Sequence, residues 1–173
     1  MKFEQSLWTS LLGATNVFAA PAEPQASDCP DSNTGGDFSS KCSAIVANLA
    51  IEHATVHFSE FVAGGTNLSL PDNDPSCTTP SIVVPKDICR IALSVATSNS
   101  SGLNMEAWLP SNWTGRFLSG GNGGLNGCVD YANLAYTSGL GFSSVGTNNG
   151  HNGTSGKPFL NKPEVVQDFA YRA

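Results

Sequence analysis

Positive charge is scarce. Lys and Arg number 8 in 173 residues against 14 Asp and Glu, for a formal net charge of -6. The eight cations are scattered, which excludes a nucleic-acid partner, because neutralising phosphates takes clustered Lys and Arg. Charge of either sign is thin at 13%, while 40% of residues are hydrophobic. That composition is too apolar for a disordered chain and too uncharged for an ordinary cytosolic surface. Long apolar runs are also missing. Nothing beyond the N-terminal stretch is long enough to cross a bilayer, so no membrane span is expected.

Motifs of the commoner chemistries are absent too. No Cys-x-x-Cys pair occurs, which leaves a zinc or dithiol site without ligands. The three histidines, His53, His57 and His151, do not form H-E-x-x-H. His53 and His57 read as surface residues, and no metal site is expected. There is no G-x-S-x-G serine turn. "GTSGK" fails as a phosphate loop, because His151 stands where the first Gly belongs and Pro158 where Ser or Thr belongs. "GGNGGLNG" fails as a dinucleotide fingerprint at Asn126, so no cofactor site is read.

What is present begins with an export signal. Lys2 precedes "SLWTSLLGATNVFA", an apolar stretch too short to span a membrane. Val17 and Ala19 satisfy the small-residue rule, so residues 1–19 are expected to be a signal peptide cut after Ala19. A secreted, extracellular protein follows from this. Four Asn-x-Ser/Thr acceptors, at Asn67, Asn99, Asn112 and Asn152, are then expected to carry sugar on surface loops. Five cysteines in an oxidising compartment imply disulfides with one thiol left over, and the sequence alone leaves their pairing open.

Residues 20–36, rich in Pro, Ser and Gly, read as a mobile lead-in, and 37–173 as a domain. Asp37 is placed to cap a helix whose face is Phe38, Cys42, Ile45, Val46 and Leu49. "ATVHFSEF" alternates Ala54, Val56 and Phe58 as a half-buried strand, and "TNLSL" is a second short one. In "CRIALSVAT", Ile91, Leu93 and Val95 share a face. In "LNMEAWL", Leu103, Met105, Ala107 and Leu109 do. "SNSSG" suits an antiparallel hairpin between them. "RFLS" leads into a glycine loop, "VDYANLAYTSGL" reads as a helix, and "GFSSVGT" as the next strand. "KPEVVQDFAYR" starts a helix at Pro163 with Val165, Val166, Phe169 and Ala170 as its face. Strand, helix, strand predicts a βαβ unit with parallel strands, and hence an α/β fold that opens with a β-rich lead. The unfinished βα layer is expected to belong to a truncated chain, with Val145, Val165, Val166 and Phe169 left unusually exposed.

Two runs break this pattern. "GGNGGLNG" holds five glycines in eight residues, and "GTNNGHNGTSG" follows the next strand. Glycine permits close approach of another molecule and costs folding entropy, so two runs after two strands suggest the working edge of an enzyme sheet. A glycine loop after an early strand is where an α/β-hydrolase places one oxyanion-hole N–H. The longer segments "WLPSNWTGRFLSGGNGGLNGCVDYANLAY", "GFSSVGTNNGHNGTSG" and "PEVVQDFAYRA" make the chain from about Ala54 to Ala173 resemble the N-terminal part of the tannase and feruloyl esterase family.

The resemblance implies an α/β-hydrolase fold carrying an inserted lid domain. It also implies cleavage of phenolic-acid esters: feruloyl esters of plant cell-wall polysaccharide, or galloyl esters of tannins. The family's nucleophile is a Ser directly after a Cys, its base a His directly before a Cys, and an Asp completes the triad. Here Cys42-Ser43 lies in the first helix, ahead of the matched region, and no His-Cys pair exists. The triad, the lid and the lid's calcium are therefore expected outside this sequence, and residues 20–173 alone are expected to be inactive. By the same resemblance Cys42 pairs with Cys89 and Cys77 with Cys128, leaving Cys29 free. Gly123 and Gly124 become the candidate oxyanion donors, with Asn148, Asn149 and His151 at the rim of the cleft holding the loop. The contrasting expectation is a short secreted glycoprotein without catalysis, binding carbohydrate through Trp108 or Trp113.

Overall fold

The structure, a computed structural model, describes residues 35–173. The expected signal peptide, most of the lead-in and Cys29 lie outside the described residues. Helix α1 spans Gly35–Asn48. It starts before Asp37, which sits in the first turn instead of capping it. There the carboxylate faces the positive end of the helix and pairs with Lys41 one turn on. The buried stripe is narrower than the sequence spacing predicts. Cys42 is buried and Phe38 and Ile45 half-buried, but Val46 and Leu49 are exposed.

The strands are β1 (Ala54–Val62), β2 (Asn67–Ser69), β3 (Ser81–Val83), β4 (Ile88–Ala96), β5 (Gly102–Pro110), β6 (Arg116–Gly120) and β7 (Phe142–Thr147), with helix α2 at Tyr131–Gly139. Five strands form one sheet in the order β1-β4-β5-β7-β6, while β2 and β3 make a separate two-stranded ribbon. The pairs β1/β4, β4/β5 and β5/β7 are antiparallel, and β6/β7 is parallel. The expected hairpin and the expected parallel pair bracketing a helix are both present. The result is a mixed sheet with helices, of the α/β kind.

Each face of the sheet has its own core. On one, Cys42 of α1 packs with Cys89, Ile91 and Leu93, and with Val95, Met105, Ala107 and Leu109. That is the alternation the two central strands show in sequence. On the other, Val62, Ile88 and Trp108 pack with Tyr131, Leu134 and Ala135 of α2. Strand β1 departs from its predicted alternation. Its register shifts between Val56 and Phe58, where His57 is the extra residue. Val56 stays on the α1 face opposite Leu93, while Phe58 moves to the other face opposite Ala92. Trp108 is wholly buried, which removes it as a carbohydrate platform. Trp113 is exposed and donates its indole N–H to the Arg116 carbonyl at 2.7 Å.

The second core encloses charge. Glu106 on β5 is buried beside Trp108. One carboxylate oxygen accepts from Arg90 Nε at 2.8 Å and Trp108 Nε1 at 3.0 Å, and the other from Arg90 Nη2 at 2.5 Å and Tyr131 Oη at 2.8 Å. Arg90 Nη1 reaches Glu60 at 2.9 Å, and its guanidinium lies over the Phe58 ring. One carboxylate thus joins β4, β5 and the first residue of α2. Burial, then the charge of Glu106, pushes the Tyr131 phenol well above its ordinary range. Burial draws the Arg90 guanidinium down, but its bonds to Glu106 and Glu60 outweigh that and leave it above its usual value.

The last helix is shorter than the sequence pattern predicts. Helix α3 covers Pro163–Gln167, and a wider π turn continues from Asp168 to Arg172. Val166 is exposed as expected, but Val145, Val165 and Phe169 are half-buried. Phe169 is covered by Phe159 and His151, with ring centroids 5.1 and 5.6 Å away. The fully buried residue of this segment is Asp168, which accepts from Thr97 Oγ1 at 2.6 Å.

Removing Glu106 strands a buried guanidinium, a phenol and an indole N–H together. Glu106→Ala is expected to cost about 3–5 kcal/mol in urea denaturation, and Glu106→Gln, which keeps an oxygen for Tyr131, clearly less. A loss under about 1 kcal/mol, the scale of a surface pair, contradicts this picture.

Candidate functional site

Because β6 and β7 run parallel, their C-terminal ends emerge at the same edge of the sheet. The two glycine runs continue from those ends, over residues 121–127 and 148–156. They are tied to each other. Gly127 N–H donates to the Gly153 carbonyl at 2.8 Å, and Asn149 Nδ2 to the Asn126 carbonyl at 3.2 Å. Asn122 Nδ2 donates to the Thr147 carbonyl at 2.9 Å. His151 Nε2 lies 3.1 Å from the Leu125 carbonyl. The ring is buried, 4.7 Å from Phe159 between centroids. His151 therefore sits beneath the loops and not at the rim of a cleft. Asn148 is buried as well. Its Oδ1 accepts from the Asn104 and Gly150 N–H groups at 2.9 and 3.2 Å, and its Nδ2 donates to Asn152 at 2.9 Å.

A disulfide and further bonds anchor this assembly to the rest of the fold. Cys42–Cys89 fastens α1 to β4, and Cys77–Cys128 fastens the 75–77 turn to the end of the first glycine loop. These are the two pairs that the resemblance implies. Each closes a loop of 47 or 51 residues, worth about 4 kcal/mol in the chain-entropy model. Ser76 Oγ accepts from the Thr154 N–H at 3.0 Å. Ser76 also bonds Asp74 through its hydroxyl and its N–H, which holds that carboxyl below the usual range.

The glycines divide into two kinds. A Cβ at Gly127 would stand 2.5 Å from the His151 carbonyl oxygen, and one at Gly150 2.5 Å from Asp168 Cβ. These positions need glycine for packing. At Gly121, Gly123 and Gly124 a Cβ would meet nothing within 4 Å. Gly124 has a left-handed backbone, φ +60°, which favours glycine, but Gly121 and Gly123 do not. Among the described residues, neither Gly123 nor Gly124 donates its N–H to another group. The tip of the first loop is bare backbone, and its base is packed.

The remaining sequence-predicted groups are spread out. Asn67, Asn99, Asn112 and Asn152 are all exposed. His53 is exposed, and His57 marks the β1 bulge. Among the described residues no cluster of three or more His, Cys, Asp or Glu is arranged to hold a metal, and no helix is long and apolar enough to cross a membrane. A cavity of about 430 Å³ opens beside the loops, between the α2 face of the sheet and residues 69–77. Arg90, Glu106, Tyr131 and the buried Asp168 were not singled out from sequence. The readable signal was one Arg and one Glu on two strands expected to pair as a hairpin, without the register that brings them together.

Known proteins align with this geometry. Residues 89–173 match the family model described as tannase and feruloyl esterase. The probable feruloyl esterase B-2 of Aspergillus oryzae is 60% identical over 136 residues, covering 79% of this chain and 26% of that protein. Feruloyl esterase C of Talaromyces stipitatus is 49% identical over 143 residues, covering 83% of this chain and 27% of that protein. A solved esterase from Aspergillus oryzae superposes with a TM-score of 0.77 at 60% identity, over 78% of this chain and 27% of its own. The solved feruloyl esterase B from the same organism gives 0.75 at 50% identity with the same coverage. The chain spans about a quarter of the length of the relatives it matches.

The division among the glycines has a direct consequence for stability. Gly127→Ala forces backbone and ring apart and is expected to lower stability by about 1–3 kcal/mol. Gly121→Ala and Gly123→Ala are expected to be neutral or to stabilise by about 0.5 kcal/mol through the unfolded chain. Denaturant midpoints check this, and equal losses at Gly127 and Gly123 contradict it.

Proposed function

We propose, from the chain's membership of the tannase and feruloyl esterase family, that it forms the first part of a secreted carboxylic ester hydrolase. The substrate class is a phenolic-acid ester, either a feruloyl ester of plant cell-wall polysaccharide or a galloyl ester of tannin. The fold is the opening of an α/β-hydrolase, in which the mixed sheet and the β6–α2–β7 unit start a parallel region. The Ser-His-Asp triad and the lid with its calcium belong to sequence outside this chain. Two disulfides and four exposed glycosylation acceptors support export.

The observation that carries the proposal is the open space over Gly121, Gly123 and Gly124 at the C-terminal end of β6. Ester cleavage passes through a tetrahedral intermediate whose carbonyl oxygen becomes negative. A backbone N–H aimed at that oxygen stabilises it, and a donor in a preorganised site is worth about 3 kcal/mol. Only a residue without a side chain lets the carbonyl come close enough. Gly123 and Gly124 are the donors proposed here. The packed base of the loop would keep those N–H groups fixed before substrate arrives, which is the condition for such a donor to act. Asn148, Asn149 and His151 hold the loop and do no proton transfer. A donor without its nucleophile polarises a carbonyl that nothing attacks.

Residues 20–173 are accordingly expected to show no turnover of methyl ferulate or a p-nitrophenyl ester above a heat-killed control. In a full-length relative, replacing the glycine that matches Gly123 by Val is expected to lower kcat by about 100-fold or more, with the melting transition retained. Turnover by residues 20–173 contradicts the placement of the nucleophile. A full-length glycine variant with normal kcat contradicts the role of the loop.

A further inference from the structure

The cavity beside the loops has no part in the proposed ester chemistry. Its floor is the α2 face of the sheet, where Phe58, Glu60 and Asn104 project. Residues 69–77 form one wall, with Asp72, and Asn152 closes the side next to the second glycine run. Its volume, about 430 Å³, is in the range of small-molecule sites. The wall is held in place by the Cys77–Cys128 disulfide, by Thr154 N–H on Ser76 Oγ, and by Asn73 Nδ2 on the Thr79 carbonyl at 2.9 Å. The space is preformed and does not depend on a loop folding over a ligand.

The chemistry of its lining is selective. Glu60 keeps one carboxylate oxygen uncommitted, and among the described residues the Asp72 carboxylate and the Asn104 amide make no hydrogen bond. Carboxylates and the Asn104 amide thus ring a floor of which Phe58 is the aromatic part. The one guanidinium, Arg90, is already engaged by Glu60 and Glu106, and no lysine lines the space. An anionic ligand meets the carboxylates of Glu60, Asp72 and Asp74, with the His57 imidazole the one basic side chain of the lining not already engaged. A neutral molecule with hydroxyls around an apolar ring face meets partners for both.

We infer that this cavity is a binding site for a neutral saccharide, separate from the glycine-loop tip. Its hydroxyls bond Asp72, Glu60 and Asn104, and its C–H face lies against the part of Phe58 that lines the cavity, Arg90 covering one side of that ring. The inference does not rest on the esterase reading. The site lies beside the base of the loops and takes sugar on its own.

The test is binding without any ester. The full 173-residue chain carries Thr154→Ala, which removes the acceptor at Asn152 while keeping its side chain and the backbone bond to Ser76. It is titrated with xylotriose and, separately, with trigalacturonate, following amide resonances. Xylotriose is expected to give saturable shifts of the Asn104 side-chain amide, with trigalacturonate at least about tenfold weaker. Adding Asp72→Ala and Asn104→Ala together, both at exposed groups without partners, is expected to weaken xylotriose about tenfold or more. Absence of saturable shifts, equal affinity for the two oligosaccharides, or unchanged affinity in the double variant each overturn the proposal. The comparison of ligands needs no substitution in the cavity, so it stands whatever the double variant does to the fold. Because no ester is present, the result is independent of the esterase proposal.

Discussion

A single buried carboxylate organises the α2 side of this protein. Glu106 cannot be ionised in an apolar core without partners, since an unpaired charge there costs several kcal/mol. Four donors meet it, two from Arg90 and one each from Trp108 and Tyr131. Those donors belong to three elements, so satisfying one charge sets where β4, β5 and α2 stand. Tyr131 opens α2 four residues after the last glycine of the first loop. The loop is therefore followed at once by the Cys77–Cys128 disulfide and, three residues on, by a residue whose position is set by the core.

That anchoring explains how a stretch so rich in glycine can hold a shape. Glycine loses more conformational freedom on folding than any other residue. A run of five in eight would be expected to wander. Here the base of the run is clamped by Gly127 on Gly153, His151 under Leu125, and the disulfide beyond. Only the tip, residues 121–125, is left without contacts that require glycine for packing. A rigid base with a bare tip is the arrangement an oxyanion donor needs. It also suits a loop that must accept close approach from a molecule arriving at the sheet edge.

Much of this was legible in the sequence, and the reasons differ by element. The β4–β5 hairpin and the β6–α2–β7 unit followed from alternation, loop length and a helical stretch between two strands. Those signals are local, so they survive in sequence. The bulge at His57 left no signal, because the apolar spacing of Ala54, Val56 and Phe58 is the same with or without an extra residue. Phe58 therefore changed faces unseen. Glu106 lies on the face of β5 opposite Leu103, Met105, Ala107 and Leu109, and the alternation alone does not mark it as buried. Only the pairing of Arg90 with Trp108 and of Ala92 with Glu106 brings the two charges together diagonally, and that is long-range information. Asp168 was hidden by the same logic, as an acid on a helix whose apolar neighbours looked like the buried face. The glycine runs were visible as composition, but which glycines serve packing and which face open space depends on His151 and Asp168 from elsewhere in the chain.

Native-state amide hydrogen exchange tests the anchored base and bare tip most directly. The Gly127 N–H, bonded to Gly153, is expected to be protected together with the amides of α2. Those of Gly123 and Gly124 are expected to exchange at nearly the rate of an unstructured peptide. Protection at Gly123 and Gly124 equal to that of Gly127, or rapid exchange at all three, contradicts the account.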